Sequence, residues 1–179
     1  MTVVSPEHQE HGKGRAIISL LKNPAEFVLS LRITFFLSVL PLMLKIFSVR
    51  SIVHRITPRR ERCISTRLTI GRVVYLCEGI LDYMQRFGYR FSCLRRSLLL
   101  YRFMRYYGEP VVINFGVKWE ADQLMGHSWL TLEGKTFREP PGKVEQFTHF
   151  FSIPLTGTGS PGEGASQTEL EQLNTLPFD

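Results

Sequence analysis

Cys93, His127 and Glu139 are the side chains whose types and positions can support nucleophilic catalysis by a thiol. In such chemistry a thiolate attacks a carbonyl carbon, an imidazole accepts and returns the proton, and a carboxylate orients the imidazole. We therefore predict that these three residues are catalytic, and the surrounding elements must bring them together.

Cys93 follows Ser92, a residue type that commonly precedes a helix, so we expect Cys93 in a first helical turn. The unpaired backbone amides of that turn favour a thiolate, and Arg95 and Arg96 add positive charge nearby. The same amides can stabilise the oxyanion of an acyl-transfer intermediate. The alternative is that Cys93 is a buried apolar side chain, as cysteines in helices usually are.

His127 begins a segment of strand-like alternation that ends in a Glu-Gly turn signal. A three-residue loop (132–134) would set Glu139, on the return strand, opposite His127 and on the same face. A two-residue loop would turn Glu139 away. Glu120 and Asp122, in the loop before the strand, are alternatives for the acid.

The first part of the chain shows helical rather than strand-like patterns. Residues 1–22 are expected to be flexible, and residues 23–62 to form an apolar helical lead-in. Its longest uncharged run, 33–44, is shorter than the roughly 20 residues that span a bilayer. We therefore predict a buried helix that is kinked or restarted at Pro41. The alternative is peripheral contact with a membrane through residues 25–55.

Two more helices are predicted before the pattern changes to that of strands. One covers residues 64–87, with Gly88 as its left-handed stop, and the other covers 93–107. After residue 110, the pattern of apolar and polar residues changes from a helical period to the period of two that is typical of strands. This change predicts a small antiparallel sheet formed by the segments 111–117, 127–132 and 136–139.

Helices followed by a small antiparallel sheet predict an α+β fold. We expect the catalytic core to span residues 63–155. Residues 156–179 are rich in Gly, Ser and Thr at their start and are predicted to be a disordered tail.

Composition excludes several classes of protein. With 44% apolar and 21% charged residues, the chain is neither disordered nor collagen-like. Its three cysteines are odd in number and form no CxxC pair, which excludes a disulfide scaffold and predicts no metal site and no cofactor. The polar N-terminus is not typical of a secretory signal, so we predict a cytoplasmic protein.

The net charge of +6 favours an acidic partner. No aromatic-interleaved basic pattern or zinc-finger spacing supports nucleic acid, so we predict that none is bound. Four arginines of the helix over 93–107 form a basic face that either docks an acidic leader or partner or is simply solvated: Arg95, Arg96, Arg102 and Arg105.

Two sequence blocks resemble those of the lasso-peptide leader peptidases, which are transglutaminase-like cysteine peptidases. The run Cys-Leu-Arg-Arg-Ser-Leu-Leu-Leu-Tyr-Arg (93–102) is similar to their catalytic helix. The block Gly-His-Ser-Trp-Leu-Thr-Leu-Glu-Gly-Lys (126–135) is similar to their second motif, commonly Ala-His-Ala-Trp-Val-Glu-Val-Asp-Gly. The resemblance covers 64–140 and departs from the family in the residues flanking the histidine and in having Glu139 where Asp is usual.

The resemblance implies a papain-related, transglutaminase-like core with Cys93, His127 and Glu139 as its catalytic residues. It implies that the protein removes the leader from a ribosomally made precursor peptide, after which an asparagine-synthetase-like cyclase closes the lactam. Because residues 1–60 show no strand alternation, the chain resembles the stand-alone form, which depends on a separate leader-recognition protein.

Two other functions remain open from the sequence. One is a transamidase or acyltransferase that uses the same Cys–His pair with an amine as the acceptor. The other is a non-catalytic module whose apolar helical segment binds a membrane or a partner protein.

Overall fold

The computed structural model describes residues 23–58, 69–121, 123–140 and 142–153. Within these ranges, four α-helices precede a four-stranded antiparallel sheet, so the predicted α+β fold is confirmed. The predictions for residues 1–22, for Cys63 and for the tail lie outside the described residues.

Helix α1 (Pro24–Ile46) begins as the sequence predicts. The Asn23 side chain accepts a hydrogen bond from the Ala25 amide, and Pro24 occupies the first helical position, where its missing N–H costs nothing. The helix continues through Pro41, so the predicted restart at that residue is wrong.

Only one face of α1 is buried. Leu29, Ile33 and Leu40 lie in the core, whereas Leu31 and Phe35, on the opposite side, are largely exposed. The prediction of a buried helix is therefore correct for the inner face alone, because both faces of this helix are apolar.

Helix α2 (Val49–Ile56) is a short amphipathic helix that starts at Ser48, whose hydroxyl accepts a hydrogen bond from the Ser51 amide. Its buried side chains recur at intervals of three and four residues, which is one helical face: Val49, Ile52, Val53 and Ile56.

Helix α3 (Ile70–Arg86) packs the face that carries Val73, Cys77 and Leu81 into the core. Phe87, the last residue of the predicted helix, is 66% exposed. The reason is that α3 ends before it, and Gly88 with φ of 84° turns the chain away, as its predicted role as a stop requires.

Helix α4 (Cys93–Tyr106) is the central helix of the fold. It packs against α1, α3 and the sheet, and Leu98, Leu99 and Met104 are fully buried. Cys93 is its first residue, as predicted, but the Ser92 side chain makes no capping hydrogen bond. The first turn of α4 therefore keeps its backbone amides free of a side-chain cap.

The sheet has the strand order β3-β2-β1-β4. A long hairpin forms the centre of the sheet and consists of β1 (Val111–Glu120) and β2 (Gln123–Leu132). The short strand β3 (Lys135–Phe137) pairs with the outer side of β2. Strand β4 (Thr148–Ile153), which the sequence analysis did not predict, pairs with β1 and follows a short 3₁₀ turn. The helices cover one side of the sheet, and together they share a single apolar core.

The turn between β2 and β3 corrects one sequence-based prediction. Leu132 pairs with Lys135, so the loop has two residues, with φ of 51° and 77°, as in a type I′ hairpin turn, and not the three residues expected. Continuing this register would set Glu139 opposite Ser128 and away from His127. Instead β3 ends at Phe137 and the next residue, Arg138, has a left-handed φ of 51°, which redirects the chain.

Candidate active site

Cys93 is the partly exposed cysteine of the described residues, at the N-terminus of α4. Helix α4 is tied to β2 one turn further on, where the Ser97 hydroxyl donates a hydrogen bond of 2.9 Å to the Ser128 carbonyl. Because Ser128 follows His127, this buried contact fixes the helix start relative to the histidine. Cys77 is fully buried, and burial raises the pKa of its thiol, which makes it a poor nucleophile.

The structure brings His127 and Glu139 into contact. The Nε2 atom of His127 lies 3.3 Å from Oε2 of Glu139, and both side chains are about 95% buried, with 3% and 5% exposure. The left-handed Arg138 described above makes this contact possible despite the two-residue turn. Because Nε2 of His127 is occupied by the Glu139 carboxylate, Nδ1 is the imidazole nitrogen that remains available to other partners.

The Cys93 thiol is the second partner of the imidazole. Burial alone would lower the pKa of His127, but hydrogen bonds to Cys93 and Glu139 outweigh it and raise the pKa from 6.5 to about 9. The imidazole is therefore held in its protonated form at neutral pH by the two groups that a Cys–His–acid arrangement places beside it.

Glu139 is a buried carboxylate whose pKa is lowered. Burial opposes the lowering, and the hydrogen bond and charge of His127, together with the charges of Arg96 and Lys143, outweigh it. Glu139 is thus ionised while it contacts His127, as an orienting and charge-stabilising acceptor must be.

Arg96 holds the carboxylate from the other side. Its guanidinium donates to Oε1 of Glu139 at 3.0 Å and to Oε1 of Glu78, on α3, at 3.1 Å. Glu78 in turn accepts a short contact from the Arg138 guanidinium. This chain of charges links α3, α4 and the segment after β3 around Glu139.

The basic face predicted on α4 is therefore divided between different roles. Arg96 is engaged by two carboxylates, and Arg102 lies partly buried over the Phe36 ring. Arg95 is on the outer side, where it donates to the Arg90 carbonyl. At least two of the four arginines thus contact the protein's own side chains, so the four do not form one uniform basic face.

Two aromatic rings lie against the imidazole. The Phe147 ring is 4.8 Å from that of His127 and the Trp129 ring is 6.0 Å from it, both nearly parallel. Trp129 is buried, with 5% of its surface exposed. Gly116 permits this packing, because a Cβ atom there would lie 2.9 Å from the Trp129 ring and from the Thr148 carbonyl oxygen.

Of the two alternative acids, Glu120 does not contact His127. Glu120 is 60% exposed and pairs with Lys118 at 2.8 Å, and Asp122 lies outside the described residues. Of the other histidines, His54 is exposed on α2, and His149 bonds to the Ser152 hydroxyl. Among the described residues no group of three or more His, Cys, Asp or Glu side chains is arranged to hold a metal ion.

A cavity of about 300 Å³ opens beside the nucleophile. It is bounded by α3 on one side and by the start of α4 on the other, with Cys93 and Arg96 in its wall and Asp82 and Gln85 facing them. A substrate residue next to the scissile bond has room there, in contact with polar side chains.

Sequence reasoning missed Glu78, Arg138 and Phe147 as parts of the site. The first two belong to ordinary charged stretches, and Phe147 lies in a segment to which no element was assigned. Only the contact between Arg96 and the acid could have been found from the sequence. An arginine three residues after a candidate nucleophile lies on the first turn of the same helix, where it can bind the catalytic carboxylate.

Comparison with known families agrees with this geometry. A model of the transglutaminase-like superfamily matches residues 28–152, more than half of the chain. The chain belongs to the transglutaminase-like superfamily. The match includes α1 and α2 as well as the segment that carries the three candidate residues. No curated protein and no solved structure matches the chain.

Members of the transglutaminase-like superfamily are usually cysteine-based enzymes, peptidases or acyltransferases. This membership accounts for a cysteine at the start of the central helix and a histidine on the neighbouring strand. Membership in the superfamily indicates the class of reaction but not the substrate.

The raised pKa of His127 predicts a specific titration. We expect its ring protons, followed by NMR, to titrate near pH 9 in the native chain, so that the ring is protonated below that value and neutral above it. Because Glu139 raises this pKa, Glu139→Gln should move the transition about one pH unit towards acid. A His127 that titrates near 6.5 in the native chain would contradict the described contacts. His149, whose pKa is lowered by burial, is the internal control and should not respond to Glu139→Gln.

Proposed function

We propose that this protein is a cysteine peptidase that removes the leader from a lasso precursor peptide, with Cys93, His127 and Glu139 as its catalytic residues. The observation that carries the proposal is the buried 3.3 Å contact between His127 and Glu139, beside a cysteine at a helix N-terminus. The substrate class rests on the resemblance of the blocks at 93–102 and 126–135.

In the proposed reaction, the Cys93 sulfur attacks the backbone carbonyl at the leader–core junction. The His127 imidazolium then donates its proton to the leaving amine as the carbon–nitrogen bond breaks. A thioester to Cys93 remains. Neutral His127 then takes a proton from water, and the hydroxide attacks the thioester carbon. The carbon–sulfur bond breaks, the leader leaves as a carboxylic acid, and the Cys93 sulfur is released as a thiolate beside the restored imidazolium.

Helix α4 supplies electrostatic support for this reaction. The backbone amide of Cys93 lies in the first turn, where helix geometry offers it no carbonyl partner, and it can donate to the oxyanion of the intermediate. Glu139 keeps the imidazole in orientation and stabilises its positive charge. Phe147 and Trp129 restrict the access of water to one side of the ring.

In this function the protein acts together with two other proteins in the cytoplasm. The precursor is presented by a separate leader-recognition protein, and the core peptide released here passes to an asparagine-synthetase-like lactam cyclase. All of these steps are placed in the cytoplasm.

The direct test combines the full-length chain with the precursor peptide and the leader-recognition protein encoded with it. Mass spectrometry should find leader and core separated, each with the mass of a hydrolysis product. Cys93→Ala and His127→Ala should lower the rate by at least about a hundredfold, while His149→Ala should retain it. Absence of cleavage by the native chain, or cleavage by Cys93→Ala, would contradict the proposal. Transfer of the acyl group to an added amine in preference to water would assign the chain to the acyltransferases instead.

Arg96 is proposed as a positioning residue that acts through Glu139. Removing it leaves a buried carboxylate without one of its partners, so Arg96→Gln should lower kcat by about tenfold and leave KM nearly unchanged. Arg96→Lys should restore part of the loss. The matched control is Arg95→Gln, an arginine on the same turn without a carboxylate contact to the site, and it should act like the native chain. Equal losses in both variants would show that the effect is not positional.

A further inference from the structure

The outer face of α1 carries large apolar side chains from its first turn to its last. Five large side chains on it are each more than half exposed: Phe27, Leu31, Phe35, Leu42 and Ile46. Their spacing of four, four, seven and four residues places them on one line, which at 1.5 Å per residue is about 28 Å long. Exposed Thr34, Ser38 and Lys45 lie among these side chains, so the face is predominantly apolar. Large apolar patches on a protein surface usually mark an interaction site.

After Glu26, whose carboxylate is buried and paired with Arg72, the charges of α1 and α2 are all positive. Residues 27–56 contain four arginines or lysines and no Asp or Glu: Arg32, Lys45, Arg50 and Arg55. All four are exposed. A partner that covers the apolar line therefore meets only positive charge at its margin.

A groove of about 480 Å³ adjoins the outer face between α1, α2 and α4. Its apolar walls include Phe35 and Val39, and Arg32, Arg55 and Arg102 project into its lining. The lining contains no carboxylate among the described residues. Burial lowers the pKa of Arg102, so an anion in the groove would compensate a partly desolvated cation.

The helix itself indicates the geometry of contact. By length and composition α1 is apolar enough to cross a membrane, with a mean hydropathy of 2.1, yet only 28% of its most apolar window is buried inside the protein. Its inner face is packed against α3 and α4. A helix held in this way can lie along a membrane surface and cannot cross the membrane without leaving the core.

We propose that the outer face of α1 docks onto an anionic membrane surface. The apolar line enters the boundary between headgroups and acyl chains, and the basic residues around it, with the arginines of the groove, lie against lipid phosphates. An apolar face combined with basic flanks is the pattern that such surfaces select.

The test is co-sedimentation of the full-length chain with vesicles of phosphatidylcholine alone and of phosphatidylcholine mixed with phosphatidylglycerol. We expect binding to the mixed vesicles only, weakened as salt is raised. The double variant Leu31→Glu with Phe35→Glu should weaken binding by at least about tenfold, because two exposed apolar side chains can no longer enter the bilayer.

A matched control is available at the C-terminal end of α3. Tyr83 and Phe87 have the same four-residue spacing and are likewise exposed, so Tyr83→Glu with Phe87→Glu changes the charge equally on another face and should bind like the native chain. Circular dichroism checks that both double variants fold.

Three results would overturn the proposal. The first is no binding to mixed vesicles, and the second is equal binding to both kinds of vesicle. The third is a native dimer in lipid-free ultracentrifugation that Leu31→Glu with Phe35→Glu converts to a monomer, which would assign the face to a second copy of this chain. The lipid test does not depend on Cys93, so it succeeds or fails separately from the proposed peptidase activity.

Discussion

The site depends on keeping the charge of Glu139 buried next to His127. A buried, unpaired carboxylate costs several kcal/mol, and the ionised form persists only when partners surround it. Arg96 and the imidazolium supply those partners from opposite sides, at 3.0 and 3.3 Å. Removing either Arg96 or the imidazolium leaves the carboxylate with too few partners. The same contacts therefore orient the imidazole and keep the buried Glu139 carboxylate ionised.

This constraint explains why two consecutive helices and the distant segment after β3 belong to one site. Arg96 comes from α4, its second carboxylate partner Glu78 from α3, and Arg138 from the segment after β3. The α4 helix also carries the nucleophile, and its hydrogen bond to the Ser128 carbonyl holds it against the strand of the histidine. Packing of α4 into the core therefore sets the distances within the site.

Sequence periodicity was sufficient for α3, α4, the two central strands and Cys93 at a helix start, because each depends on local pattern. It did not place the break between α1 and α2, which was expected at Pro41 and lies after Ile46. The contact between Glu139 and His127 was predicted, but from a three-residue loop that the structure does not have. The chain is redirected instead by the left-handed backbone of Arg138, which a hydrophobic pattern cannot predict. Strand β4 and Phe147 were missed because short edge segments have little periodic signal. The two apolar faces of α1 were not separated, since hydropathy cannot tell which face meets the core.

The most direct test of the central claim is the rate at which iodoacetamide alkylates each cysteine at neutral pH, read by peptide mass spectrometry in the native chain and in His127→Ala. The account predicts that His127→Ala slows the alkylation of Cys93 by at least about tenfold, whereas buried Cys77 reacts slowly in both proteins. A Cys93 that reacts no faster than Cys77, or equally fast without His127, would contradict the assembled Cys–His–Glu site.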